Sequence, residues 1–243
     1  MSLTDSERIW LLALLVVWAV LLFGGFIFGK DNEEQTHRIP TRMRMGSSLL
    51  LVLAGWSWWL ITDDSDWHQL ALFIALGMSF GFLGDLLMAE VIAVGDRVIA
   101  GISAFGLGHV AYIAGLIHYG NRFNLDDPAR RWGSLAAWLV VGALAWFLVV
   151  YRGAEKPEAV HYIALPYALL LAATAGFATG LALQSSPFVF LGMGGALFLA
   201  SDLLLAAQIF NALHFRLIGD VVWLMYGPGQ MLIVFSVPLA ELF

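Results

Sequence analysis

The sequence predicts an all-α, polytopic membrane protein with eight transmembrane helices. Three observations lead there. First, 60% of the 243 residues are hydrophobic and 12% are charged, with a mean hydropathy of +0.83, whereas soluble domains carry about 25% charged residues. Second, the apolar residues fall in runs of about twenty, the length of a spanning helix, and not in the ~10-residue alternating segments of a membrane barrel. Third, one short phrase around an aspartate returns four runs later: Gly84-Asp85-Leu86-Leu87 in the third run and Ser201-Asp202-Leu203-Leu204 in the seventh.

The runs cover Arg8–Phe28, Met45–Thr62, Gln69–Ala93, Val98–Tyr119, Trp132–Tyr151, Val160–Leu183, Phe188–Phe210 and Leu217–Leu239. The first has no basic n-region or small-residue cleavage site before it, so it is expected to be a retained helix and not a signal peptide. The loops are too short to fold alone, and residues 1–243 form one transmembrane domain. Its possible repeat halves are 1–124 and 125–243. A four-run offset makes equivalent helices parallel, related by an axis along the membrane normal. Asp85 and Asp202 are then expected at similar depth, facing one cavity.

Lys30, Arg38, Arg42, Arg44, Arg97, Arg152, Lys156 and Arg216 fall in the odd-numbered loops, against Arg8, Arg122, Arg130 and Arg131 on the other side. The positive-inside rule puts the odd loops in the cytoplasm and both termini outside it, in a cell inner membrane. Trp10, Trp56, Trp58, Trp59, Trp67, Trp132 and Trp223 lie mostly near run ends, as an anchoring belt would. Cysteine is absent, which excludes thiolate catalysis and disulfides. No basic patch points to nucleic acid. The histidines are scattered, so no metal and no cofactor is expected.

A carboxylate within hydrocarbon is costly and marks a functional site by default. Each aspartate is followed one helix later by a polar, glycine-rich phrase, Gly106-Leu107-Gly108-His109 and Gly227-Pro228-Gly229-Gln230. His109 and Tyr112 share one helix face, as do Tyr226 and Gln230. Pro228 frees the Leu224 carbonyl and can open its helix. Gly77, Gly81, Gly194 and Gly195 allow close helix approach near the aspartates. Tyr167 either lines the cavity or bonds across helices. Glu90 and Asp96 read as solvated caps, and Arg216 as a loop cation able to hold a phosphate. An aspartate that only staples the bundle is the bland alternative.

Gly-Asp-Leu-Leu-Met at Gly84–Met88, Gly-His-Val-Ala-Tyr at Gly108–Tyr112, Ser-Asp-Leu-Leu-Leu-Ala at Ser201–Ala206 and Tyr-Gly-Pro-Gly-Gln-Met-Leu-Ile at Tyr226–Ile233 resemble the signatures of the YhhN family. These are lysoplasmalogenase-type membrane proteins. The eight-run layout resembles the family throughout, with one departure at Gly227-Pro228, where the family carries bulkier residues. The resemblance implies hydrolysis of the vinyl ether bond of a lysophospholipid (a lysoplasmalogen) to a fatty aldehyde and a glycerophospho-alcohol.

That chemistry suits the residues. A vinyl ether is cleaved by protonating its β-carbon, adding water to the oxocarbenium ion, and letting the hemiacetal collapse. It needs an acid and a base, the division of labour that paired carboxyls perform in glycosidases. Asp85 and Asp202 are the expected catalytic pair. His109, Tyr112, Tyr167, Ser201, Tyr226 and Gln230 are expected to hold substrate and water, with the alkyl chain among apolar helices and membrane lipids. A proton-coupled small-molecule carrier using the same aspartates is the alternative from another class.

Overall fold

The structure is a computed structural model that describes residues 3–154 and 156–236. The described residues are helical throughout, with no strand, and form eight rods. These are α1 (Asp5–Phe28), α2 (Thr41–Ile61), α3 (His68–Met88), α4 (Arg97–Arg122), α5 (Pro128–Tyr151), α6 (Ala159–Ala182), α7 (Ser186–Asn211) and α8 (Ile218–Val234). Six of them, all but α2 and α8, are long and apolar enough to cross a membrane. The expected end of the last run at Leu239 lies outside the described residues.

Several rods start where a side chain satisfies the free amides of a first turn. Thr4 and Glu7 form a capping box on α1. Asp96 accepts from the amides of Val98 and Ile99 at 2.9 and 3.0 Å. Asp127 accepts from Arg130 at 2.9 Å ahead of Pro128, so α5 begins a turn earlier than the apolar run. α3 stops at Met88, well before Ala93. Glu90 turns left-handed (φ 56°), and the amides of Glu90 and Val91 close back on the carbonyls of Leu87 and Leu86 at 3.1 and 3.0 Å. This is a Schellman end with glutamate where glycine is usual. Val91 and Ile92 then lie exposed beyond the helix.

Short connections make successive rods run up and down. At one end, loop 1 meets loop 7 through Asp31 and Arg216 (2.7 Å). At the other, the α2–α3 loop meets the end of α4 through Asp66 and Arg122 (3.8 Å), and Gln184 donates to Leu125 O at 3.1 Å. We call these the odd-loop and even-loop ends. α3 packs chiefly on α4 and α2, α6 on α5, α7 and α4, and α8 on α7.

Glycine sets two of these approaches. A Cβ on Gly108 would stand 2.8 Å from the Gly77 carbonyl oxygen, where α3 meets α4. A Cβ on Gly194 would stand 2.7 Å from the Gly229 carbonyl oxygen, where α7 meets α8. Gly77 precedes Asp85 as Gly194 precedes Asp202, and Gly108 and Gly229 hold the same place in their phrases.

The tryptophans divide. Trp10 and Trp132 are more than half exposed, as anchors should be, while Trp58 is fully buried. Trp223 faces the interior, with the Arg44 guanidinium 5.6 Å above its ring.

Candidate active site

Between α2, α3, α4, α7 and α8, a chamber of about 560 Å3 lies toward the odd-loop end. Asp85 and Asp202 both line it, with Arg44, Phe105, Gln208 and Tyr226. A narrow apolar groove of about 90 Å3 adjoins it between α4, α5, α6 and α7, walled by Ile102, Trp146, Ala168, Leu171 and Leu203. Asp202 borders both spaces, whereas Asp85 borders the chamber alone. The α5 wall of the groove ends in a π-helical turn, Trp146–Tyr151, a distortion that recurs at functional sites. The Trp146 indole is tied to the His161 carbonyl at 2.8 Å.

Asp85 is buried at 5% exposure. Its Oδ2 accepts from the hydroxyls of Ser48 on α2 and, at 3.1 Å, Tyr226 on α8. Behind Tyr226 the bonds continue. Tyr112 donates to Gln230 Oε1 at 3.0 Å, and Gln230 Nε2 donates to the Tyr226 oxygen at 3.0 Å. This chain runs from α4 through α8 to α3, and each bond polarises the next. It fixes one oxygen of Asp85 and leaves Oδ1 without a protein donor among the described residues. Gly81 makes room: a Cβ there would meet Gln230 Nε2 at 3.1 Å.

Asp202 has one hydroxyl partner from another helix and one from its own. Tyr167 on α6 donates to its Oδ2, and the fully buried Ser201 lies 3.3 Å from its Oδ1 while also donating to Phe198 O at 2.7 Å. Tyr167 thus does both things expected of it, lining the groove and bonding across helices.

Not every residue expected beside the substrate borders these spaces. Of the six, Tyr226 lines the chamber and Tyr167 the groove; His109, Tyr112, Ser201 and Gln230 are buried behind them. His109, Tyr112 and Gln230 follow the lining residues Phe105 and Tyr226 on the same helix faces, one or two turns further from the chamber. His109 is also off the hydrogen-bond chain. Its Nδ1 lies 3.0 Å from Thr174 Oγ1. Thr174 spends its own proton on Leu170 O (3.1 Å), so the imidazole donates and its buried Nε2 is left without a partner.

Three residues absent from the sequence expectation matter here: Arg44, Ser48 and Thr174. Arg44 and Ser48 are one turn apart near the start of α2, a spacing that puts them on one face. Among the described residues no three His, Asp or Glu side chains converge to hold a metal ion.

A family model described as the YhhN family matches residues 41–237, from the first residue of α2 onward. The chain belongs to the YhhN family. The match takes in both aspartate phrases and both glycine-rich phrases. Neither curated proteins nor solved structures give a significant match. The family departure at Gly227 has a structural counterpart: a Cβ there would stand 2.7 Å from the Leu22 side chain, so this glycine lets α1 seat against α8.

Proposed function

We propose that this YhhN-family protein is an integral membrane hydrolase. Its substrate would be a lysoplasmalogen, with Asp85 and Asp202 as the acid–base pair. The observation that carries the reading is the junction at Asp202, where a polar chamber and an apolar groove meet at one carboxyl. A single-chain amphiphile whose labile bond joins its chain to its headgroup fits that junction. The chain would lie in the groove, the headgroup in the chamber, and the vinyl ether between them.

The same geometry divides the roles. Asp202 alone borders the groove, so it faces the alkenyl carbon and acts as the acid. It donates a proton to the β-carbon and an oxocarbenium ion forms. Asp85, in the wetter chamber, takes a proton from water as the water oxygen adds to the carbon bearing the ether oxygen. The hemiacetal then collapses. Asp85 returns its proton to the departing glycerol oxygen, the hemiacetal hydroxyl gives its proton back to Asp202, and the aldehyde forms with both carboxyls restored. Such proton transfers by positioned side chains are worth about 10²–10⁴ in rate. Tyr226 and Ser48 orient Asp85, while Tyr167 and Ser201 orient Asp202.

In this reading all eight rods span the inner membrane, as two parallel four-helix halves. The paired glycine approaches at Gly77–Gly108 and Gly194–Gly229 support the repeat. The cytoplasmic side is the odd-loop end, toward which the chamber lies.

Purified protein in detergent should release fatty aldehyde from a 1-alkenyl lysophospholipid and leave the saturated 1-alkyl ether uncleaved. No aldehyde, together with proton-coupled flux of a small solute in liposomes, would favour the carrier instead. Cleavage of the saturated ether would refute the acid mechanism.

A further inference from the structure

The cations near the odd-loop end are not alike. Arg97 pairs with Glu90 at 2.8 Å. Arg38 and Arg216 share Asp31 at 2.8 and 2.7 Å. Arg44 has no carboxylate within ion-pairing distance among the described residues. Its one side-chain hydrogen bond runs from a terminal nitrogen to Thr41 Oγ1 at 3.1 Å. Its Nε is buried without any partner.

The chamber does not lack acids to satisfy it. Glu34, Asp85 and Asp202 line the same chamber, yet among the described residues none of them lies within ion-pairing distance of Arg44. The guanidinium carbon lies 5.6 Å from the centroid of the Trp223 ring, within reach of a cation–π attraction. A guanidinium whose Nε is buried with an unused proton is costly unless something completes it. Its rigid fork matches the oxygens of a phosphate.

We infer that Arg44 is an anion-binding residue of the chamber, and that its ligand is the phosphate monoanion of a single-chain phospholipid headgroup. A lipid is chosen over free phosphate because the chamber continues into the apolar groove at Asp202. The inference deepens the function proposed above and rests on it for the lipid. In that frame Arg44 anchors the headgroup, so that the bond linking it to the chain reaches the carboxyls.

The test uses full-length protein in detergent and ligands that cannot be cleaved. These are a saturated 1-alkyl lysophospholipid and a 1-alkylglycerol of the same chain length without phosphate, each radiolabelled. Wild-type protein should bind the phospholipid at least ~10-fold more tightly, the scale of a hydrogen bond to a charged group. Arg44→Gln should abolish that preference and leave alkylglycerol binding unchanged. Arg44→Lys, which keeps the charge but loses the fork, should retain part of it and serves as the readout if the glutamine variant does not fold. Equal weakening of both ligands, or no change in either, would overturn the inference and make Arg44 a structural counter-ion. Competition by inorganic phosphate at the concentration where the lysolipid competes would overturn the lipid assignment. Because neither ligand is cleaved, failure to release aldehyde would sink the proposed function and leave this result standing.

Discussion

Around Asp85, Tyr226 supplies a hydroxyl at 3.1 Å. The place that Tyr226 takes before Gly227 is taken in the other half by Phe105 before Gly106, and Phe105 lines the chamber with Asp202 but has nothing to donate. The two rings pack with their centroids 6.2 Å apart, and Phe105 fits only because a Cβ on Gly84 would stand 2.7 Å from it. Asp202 takes its hydroxyl from Tyr167 on α6 instead. One sequence phrase thus supports two environments. One carboxyl ends a hydrogen-bond relay at the chamber, and the other, with a hydroxyl near each of its oxygens, also borders the apolar groove. The difference lies in the neighbours and in the exchange of Gly84 for Ser201 within the phrases, and in the proposed mechanism it lets two like groups do unlike work.

The largest effect should come from the carboxyls. Asp85→Asn and Asp202→Asn keep size and should insert and fold, yet each should lower aldehyde turnover by at least ~10²-fold. Near wild-type rates in both variants would reduce the aspartates to structural staples and remove the comparison.

Next come the paired glycines. Gly108→Ala and its counterpart Gly229→Ala each press a methyl against a backbone oxygen, at 2.8 and 3.1 Å. Both should cost about 1–3 kcal/mol, as overpacking does, read as earlier unfolding in a detergent titration. A large cost in one and none in the other would break the equivalence of the halves.

The asymmetry itself is tested at Tyr226. Tyr226→Phe makes the Asp85 surroundings resemble those of Asp202, and should lower kcat by about 10-fold, the scale of one hydrogen bond to a charged group. Tyr112→Phe, two bonds further back, should cost less. An equal loss in the two would mean that the chain has no direction toward Asp85.

The smallest effect is expected far from both carboxyls. Hydrogen bonds from Arg38 and then Arg216 hold the Asp31 carboxyl below its ordinary range. A lowered value stabilises the fold above the ordinary aspartate range, about pH 4, and this is lost as pH falls through the lowered value. Comparing wild type with Asp31→Asn, a slight difference in thermal stability at neutral pH should shrink below about pH 4. A difference that grows with acid would contradict this.

Much of this was legible in the residues. The aspartate phrases, the glycine spacing and the Tyr226–Gln230 face all follow from helical periodicity, which places residues on faces without naming their partners. Arg44 and Ser48 were missed because the first counts as a loop cation and the second as a tolerated hydroxyl in an apolar run. Only their one-turn spacing marks them as a pair. The end of α3 was also beyond hydropathy, since Val91 and Ile92 continue the apolar run after Glu90 has already turned the chain. That Tyr112 and Gln230 stand behind the chamber depends on how deep it reaches along the helices, since they share faces with the lining Phe105 and Tyr226, and periodicity does not give that depth.

The central claim is that Asp202 protonates carbon while Asp85 activates water. It is tested most directly by running one turnover in heavy water and trapping the aldehyde at once for mass spectrometry. Wild-type protein should give aldehyde carrying one deuterium on the carbon next to the carbonyl, more slowly than in light water. Asp202→Asn should give almost none. Unlabelled aldehyde, or labelled aldehyde formed by Asp202→Asn at the wild-type rate, would contradict the account.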